Sequence, residues 1–431
     1  MKKPLLALAL ALCSFLAHAQ NLHLKNVNIV DVENGTILKH REILVTDGRI
    51  ASFKPKKRQT RQHTVIDGGG KYVIPGLFEM HAHLGAQNKT FLEQFLKYGI
   101  TNVRVMAGNE GLLAWRDSIN KQLLTGPDLQ VVSPLYDGNP PLWGEAHAGP
   151  VLTDAQQVSE LVAKHQQLGY QEIKVYNRLP ESVYLEILKV AADKGMQVTG
   201  HIPYTLKESH FGDARHSSIE HLDGLIQYAT TAQPDFEPLK EEGIRNELYL
   251  QYDSLQLAPY AAKLKSNKVW LTPTLSLYAN INNQQVKQEL EQLRSQELVQ
   301  GLMGWWESLP ARVQENFKLK SDVHRQIIQQ HFLDYADHIL VGTDSPNPYN
   351  FPGLAVHHEL VYLAEAGFTH AAVLKMATYN AARYANLTQD YGIIAPGKFA
   401  NLVLLDGNPL QDIRNTKKIH QVILKGKPQL D

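Results

Sequence analysis

The chain has 431 residues, with 43 Lys and Arg against 43 Asp and Glu, 43% hydrophobic residues and a single Cys. Balanced charge leaves no basic field to gather phosphates, which argues against a nucleic-acid or polyanion binder, and the apolar fraction argues against disorder. The length suits one large unit with something smaller beside it, since α/β barrels run to about 250 residues or more.

In chain order, Met1-Lys2-Lys3 and the apolar run Leu5 to Leu16 read as a secretory signal, with Ala17-His18-Ala19 as the cleavage site. The run is too short to span a bilayer. The expectation is therefore a periplasmic or secreted protein, not held at a membrane after cleavage. Loss of residues 1–19 would remove Cys13, and with it any disulfide, thiolate ligand or cysteine nucleophile.

Leu22 to Ile50 reads as short strands punctuated by the hairpin signals Asn34-Gly35 and Asp47-Gly48. Apolar runs then alternate with helical periodicity, the pattern of βα units around a parallel sheet. Candidate strands are Leu77–His83, Thr101–Val105, Leu129–Ser133, Glu172–Tyr176, Gln197–His201, Ser218–His221, Val269–Thr272 and Ile339–Asp344. That is the number a closed (β/α)8 TIM barrel needs. A helix is predicted from Ser182 to Lys194, stopped by Gly195. The Gln- and Glu-rich stretch from about Pro234 to His331, placed between the sixth and seventh strands, reads as a helical insertion near the barrel mouth. Ala400–Leu405 and Gln421–Lys425 are strands resembling those at the start. The expected organisation is a signal at 1–19, a TIM barrel at 71–385, and a small β-sandwich domain built from 20–70 and 386–431.

The chemistry gathers at the strand ends. Residues two apart on a strand share a face, so His81 and His83 point inward together, a natural metal chelate. His201 and His221 close the fifth and sixth strands and Asp344 ends the eighth, where TIM barrels carry their catalytic residues. Lys174 lies mid-strand, inward with Glu172 and Tyr176. A buried lysine is costly unless paired or neutral. It either pairs with an inward acid such as Glu172 or, as a neutral amine, adds carbon dioxide to become a carbamate able to bridge two metals. Glu79 shares the parity of His81 and His83, either as a buried acid or as a group orienting a ligand.

The ordered set Ile74-Pro75-Gly76 leading to His81-Ala82-His83, Ile173-Lys174-Val175, Gly200-His201, Glu220-His221, Gly342-Thr343-Asp344 and Gly392–Val403 resembles the amidohydrolase superfamily, and within it the imidazolonepropionase-related and prolidase-like members. Asn401 departs from the aspartate usual there. The resemblance implies two divalent metal ions, most often Zn2+, one held by His81, His83 and Asp344 and the other by His201 and His221, with CO2-derived carboxylated Lys174 bridging them. It implies Asp344 as general base and then general acid. Zinc, manganese, cobalt or iron would all suit such ligands. The activity it implies is hydrolysis of an amide or peptide C–N bond in a small molecule such as a dipeptide or N-acyl amino acid. The competing readings are a deaminase or cyclic-amide or lactone hydrolase on the same scaffold, and a non-catalytic binding protein. Arg178, Tyr176, Tyr204, His147 and Trp143 are candidates for substrate contact, Arg178 first because its planar fork suits a carboxylate. A homo-oligomer stays open.

Overall fold

The computed structural model describes residues 21–54, 63–85, 89–144, 149–222, 224–230 and 242–429, with the side chains of the last stretch described from Asn246 onward. The signal expected at 1–19 and His147 lie outside the described residues.

The described residues begin with β1 (Leu22–Asp31), β2 (Thr36–Thr46), β3 (Arg49–Ser52), β4 (Thr64–Asp67) and β5 (Tyr72–Pro75). A parallel region follows, comprising β6 (Leu77–Ala82), β7 (Ile100–Val105), β8 (Asp128–Val131), β9 (Leu135–Tyr136), β10 (Glu172–Val175), β11 (Gln197–Gly200), β12 (His216–Glu220) and β13 (Trp270–Thr272). The chain returns through β14 (Leu402–Leu405), β15 (Ile419–Leu424) and β16 (Lys427–Pro428).

The terminal strands form one eight-stranded sheet, ordered β16-β15-β14-β5-β1-β2-β3 with β4 on β1. Asp47 and Gly48 turn β2 into β3, both with positive φ (51° and 76°), as a tight hairpin of this sequence requires. Where the sequence suggested a sandwich, the described strands of the two chain ends are hydrogen-bonded into this one sheet. The reason is the β5–β14 pairing: Leu402 to Leu405 run antiparallel to Pro75 to Tyr72 and join the two chain ends edge to edge. Alternation then buries both faces of β14. Leu402 and Leu404 pack with Leu24, Ile29, Ile43 and Val73, while Val403 and Leu405 join the main core with Ile74 and Leu77.

The parallel region comprises a three-stranded sheet, β6-β7-β8, and a five-stranded sheet, β13-β12-β11-β10-β9. The predicted eighth strand at 339–344 is not a regular strand, and makes isolated bridges from Ile339 to Leu271 and from Ser345 to Ala82. The segment nonetheless bonds to both sheets, Leu340 N donating to Leu271 O at 2.9 Å and Met80 N donating to Val341 O at 2.8 Å. Its irregularity has a local cause. Gly342 approaches β6 so closely that an added Cβ would lie 2.8 Å from His81 Cβ and 2.5 Å from Thr272 Cγ2, and Asp344 leaves the extended region at φ 58°.

The predicted helix near Ser182 spans Glu181–Asp193 and is stopped by Gly195 at φ 67°. The helical stretch at 234–331 is divided by β13. Helices 242–250 and 254–266 precede it, and those at 275–279, 284–292, 297–307 and 311–327 follow. Asn283 caps helix 284–292, its side chain accepting from Gln285 N and Val286 N. That later group packs through Val286, Leu290, Met303 and Trp306 onto Tyr349 and Phe351.

Candidate metal centre

Strand ends converge on one cavity of about 380 Å3, lined by His81, His83, Lys174, His201, His221 and Asp344, and also by Leu135, Trp143, Tyr176, Trp305 and Pro346. One ligand atom each from His81, His221 and Asp344 lies within 4.8 Å of the others. Asp344 Oδ1 is 2.9 Å from His83 Nε2 and 3.4 Å from His81 Nε2, and its Oδ2 is 3.9 Å from His221 Nε2. The His201 and His221 rings are 5.1 Å apart. Lys174 is 1% exposed.

Sharp turns aim these groups. Ala107, His221, Thr274 and Asp344, each just past an apolar run, hold left-handed backbone at φ 47° to 58°. Such conformations cost non-glycine residues on the order of 1–3 kcal/mol each and persist where surrounding structure over-determines them.

Each buried histidine lining the cavity is held through Nδ1. His81 Nδ1 donates to Glu220 Oε2 at 2.7 Å, His201 Nδ1 lies 2.7 Å from Asn177 Oδ1, and His221 Nδ1 lies 2.8 Å from Thr274 Oγ1. With Nδ1 engaged, Nε2 is the atom turned to the cavity, the arrangement that fixes tautomer and ring plane in metal-binding histidines. His81 Nε2 is buried and makes no hydrogen bond, an arrangement that is unfavourable unless an ion takes it as a ligand. The donor set therefore fits divalent cations. Glu79 lies below, accepting from His81 N at 2.8 Å and from Thr343 Oγ1 at 2.5 Å, which ties β6 to the 339–344 segment.

A buried polar layer supports the site. Arg104, 1% exposed, donates to Met80 O at 2.6 Å, Glu220 Oε1 at 2.7 Å and Glu172 Oε2 at 3.2 Å. Glu172 also accepts from Gln130 and Tyr384. The acid that a salt bridge to Lys174 would have used is thus occupied one layer down.

Electrostatics match the donor roles. Burial first, then Lys174, pushes His81 well below the usual imidazole range. Burial and His81 do the same for His221, so both are neutral, the form that binds metals. Burial alone would raise Asp344, but His221 and His83 outweigh it and hold its carboxyl below the usual range. Burial likewise opposes ionisation of Glu220, yet Arg104 and Lys174 bring it down to about 2. Burial dominates at Glu79 and pushes it up to about 8 despite its donors.

Among the proposed substrate contacts, Tyr176 lines the cavity, with its ring centroid 4.1 Å from that of His201 and its hydroxyl accepting from Trp143 Nε1 at 2.7 Å. Arg178 Nη1 donates to Pro140 O at 3.0 Å. Tyr204 is buried and, like Arg178, is not among the described residues lining the cavity. Sequence reasoning missed Arg104, Asn177, Thr274 and Trp305. Arg104 carried a usable signal, since a charged residue between Val103 and Val105 is as unusual as Lys174 between Ile173 and Val175.

A family model described as the amidohydrolase family matches residues 72–428. Adenine deaminase 2 of Oenococcus oeni is 22% identical over 392 residues, covering 88% of this chain and 55% of that protein. The chain thus spans about half the length of this curated relative. A solved prolidase complexed with N-methylphosphonate-L-proline is 19% identical, with a TM-score of 0.69 and coverage of 95% of this chain and 99% of that one. A Xaa-Pro dipeptidase with bound methionine is 17% identical, with a TM-score of 0.68 and coverage of 95% and 100%. At these identities the structures show a shared fold, and the family match extends from β5 to β16. The chain belongs to the amidohydrolase family.

Proposed function

We propose that the chain is a metal-dependent hydrolase that cleaves an amide or peptide C–N bond in a small molecule of the dipeptide or N-acyl amino acid type. The observation carrying this is the single cavity onto which four histidines, Asp344 and the buried Lys174 all open. The reading includes closure of the parallel segments into a (β/α)8 barrel, supported by the hydrogen bonds of 339–345 to both β13 and β6.

His81, His83 and Asp344 would hold one divalent ion and His201 and His221 a second, zinc being the reading favoured, with Lys174 as a carbamate between them. Such ions supply a nucleophilic hydroxide near neutral pH and polarise the scissile carbonyl. Asp344, ionised and facing the same cavity, takes the proton of the attacking water at its carboxylate. It then delivers that proton to the departing nitrogen, which cannot leave as an amide anion. Glu220, Asn177 and Thr274 hold the imidazoles in register, and Glu79 holds the turn that carries Asp344.

The test is a screen of dipeptides and N-acyl amino acids with zinc-loaded protein, before and after chelation. Hydrolysis lost on chelation and restored by zinc supports the reading. Asp344→Asn should lower kcat by about 10²-fold or more while the protein still folds; near-normal kcat would remove Asp344 as the proton carrier. A deaminase is the second reading, favoured by the adenine deaminase relative. Ammonia release from adenine with no amide hydrolysis would establish it instead. The division into a barrel at 71–385 and a β domain from 20–70 and 386–431 is part of the proposal, as is export directed by residues 1–19. Secreted protein beginning at Gln20 would support export, and intact residues 1–19 on cytoplasmic protein would contradict it.

A further inference from the structure

The rim of the cavity carries two large apolar side chains left in solvent. Trp143 is 63% exposed and Trp305 is 48% exposed, and both line the cavity together with the histidines. Tryptophans this exposed are unusual on a surface with no partner, and two facing one cavity from separate elements form a local apolar patch.

Each is positioned by a specific contact. The Trp143 indole donates through Nε1 to the Tyr176 hydroxyl at 2.7 Å, and the Tyr176 ring in turn lies against His201. An aromatic wall therefore descends from the rim to a proposed metal ligand. Trp305 stands on helix 297–307, whose buried face is Val299, Met303 and Trp306. Trp306 is 1% exposed, donates to Pro346 O at 3.3 Å and packs against Tyr349. Consecutive residues on a helix point about 100° apart, so anchoring Trp306 against the loop after Asp344 leaves its neighbour Trp305 at the rim. Leu135 and Pro346 complete the apolar lining.

We propose that Trp143 and Trp305 are the walls of a specificity pocket that takes an aromatic side chain adjoining the scissile amide. This rests on the hydrolase reading for the reaction and goes beyond it in naming the substrate class. Aromatic rings are the natural occupant, because they bury area against indole faces and gain from offset or edge-on packing. Lysyl or arginyl side chains would be the competing occupants of an aromatic pair.

The test uses the zinc-loaded full chain with Phe-Gly, Gly-Phe, Lys-Gly, Gly-Lys and Gly-Gly. The pocket predicts that kcat/KM for at least one phenylalanyl dipeptide exceeds that for Gly-Gly and its lysyl counterpart by about tenfold or more. Trp143→Ala and Trp305→Ala should each erase most of that preference, chiefly through KM, with metal content unchanged. Trp143→Phe, which keeps a ring and loses the indole donor, should retain most of the preference. Equal losses on Phe and Gly substrates, or a preference for lysyl dipeptides, would overturn the proposal. Calorimetric binding of N-acetylphenylalaninamide and N-acetylglycinamide separates this inference from the reaction. Tighter binding of the aromatic ligand, lost in the alanine variants, supports the pocket even where no amide is hydrolysed, and that pattern would overturn the hydrolase reading alone. Equal binding of the two amides would overturn the pocket.

Discussion

At the scale of single residues, the site is a set of costly placements that support one another. Arg104 is the clearest case, since it neutralises two buried carboxylates, one of which, Glu220, holds the His81 ring. Arg104→Met would leave Glu172 and Glu220 without their cation. Breaking a buried ion pair from one side costs about 3–5 kcal/mol, and a loss of that order is expected in urea unfolding, with reduced metal retention as the His81 ring loses its fixed partner. A loss under about 1 kcal/mol would show that the layer is wetter than its burial implies. The candidate ligands that line the cavity were legible from sequence because strand parity and strand-end position are period-two properties, visible in His81-Ala82-His83 without any neighbour. Their supports were not. Asn177 reaches His201 across 24 positions and Thr274 reaches His221 across 53, pairings that only the folded chain creates. Arg178 donates to the carbonyl of Pro140, beside the loop that carries Trp143, a contact that its position in the sequence did not signal.

At the scale of elements, the segment 339–344 matters most, because it carries Asp344 to the histidines while bonding to β13 and β6. Gly342 permits that approach. Gly342→Ala would drive a methyl into His81 and Thr272, and overpacking of this kind costs about 1–3 kcal/mol. Lower Tm together with weaker metal retention is the expected result, and unchanged values for both would mean that the segment has room to retreat. The helical and parallel-strand pattern could be read from periodicity, down to the short strand Trp270–Thr272, which falls within the expected Val269–Thr272 run. The single terminal sheet could not, because it depends on β5 meeting β14 at a sequence separation of more than 300 residues.

At the scale of the whole molecule, buried neutral histidines tie distant parts together. His216 sits between Tyr184 and Ser218 O. His357 joins Tyr98 O to Thr416 Oγ1, linking helix 354–365 to the region before β15. Burial lowers His216 to about 4 and His357 to about 3. The unfolded chain titrates near the ordinary 6.5, so it binds these protons first as pH falls. Their contribution is complete above pH 6.5 and is lost progressively as pH drops toward 4 and then 3, at up to about 1.4 kcal/mol per pH unit for each histidine. Urea midpoints should decline across that window, and less steeply in His216→Gln. An unchanged pH dependence in that variant would exclude His216 as a contributor.

The central claim is that the converging side chains form a two-metal centre bridged through Lys174. Elemental analysis of the full chain, purified with zinc and bicarbonate, tests it directly against Lys174→Ala. The account predicts about two metal ions per chain in the first protein and one or none in the second, the two-metal arrangement being the one that requires a bridging oxygen ligand. One ion per chain in both proteins, or two in both, would contradict it.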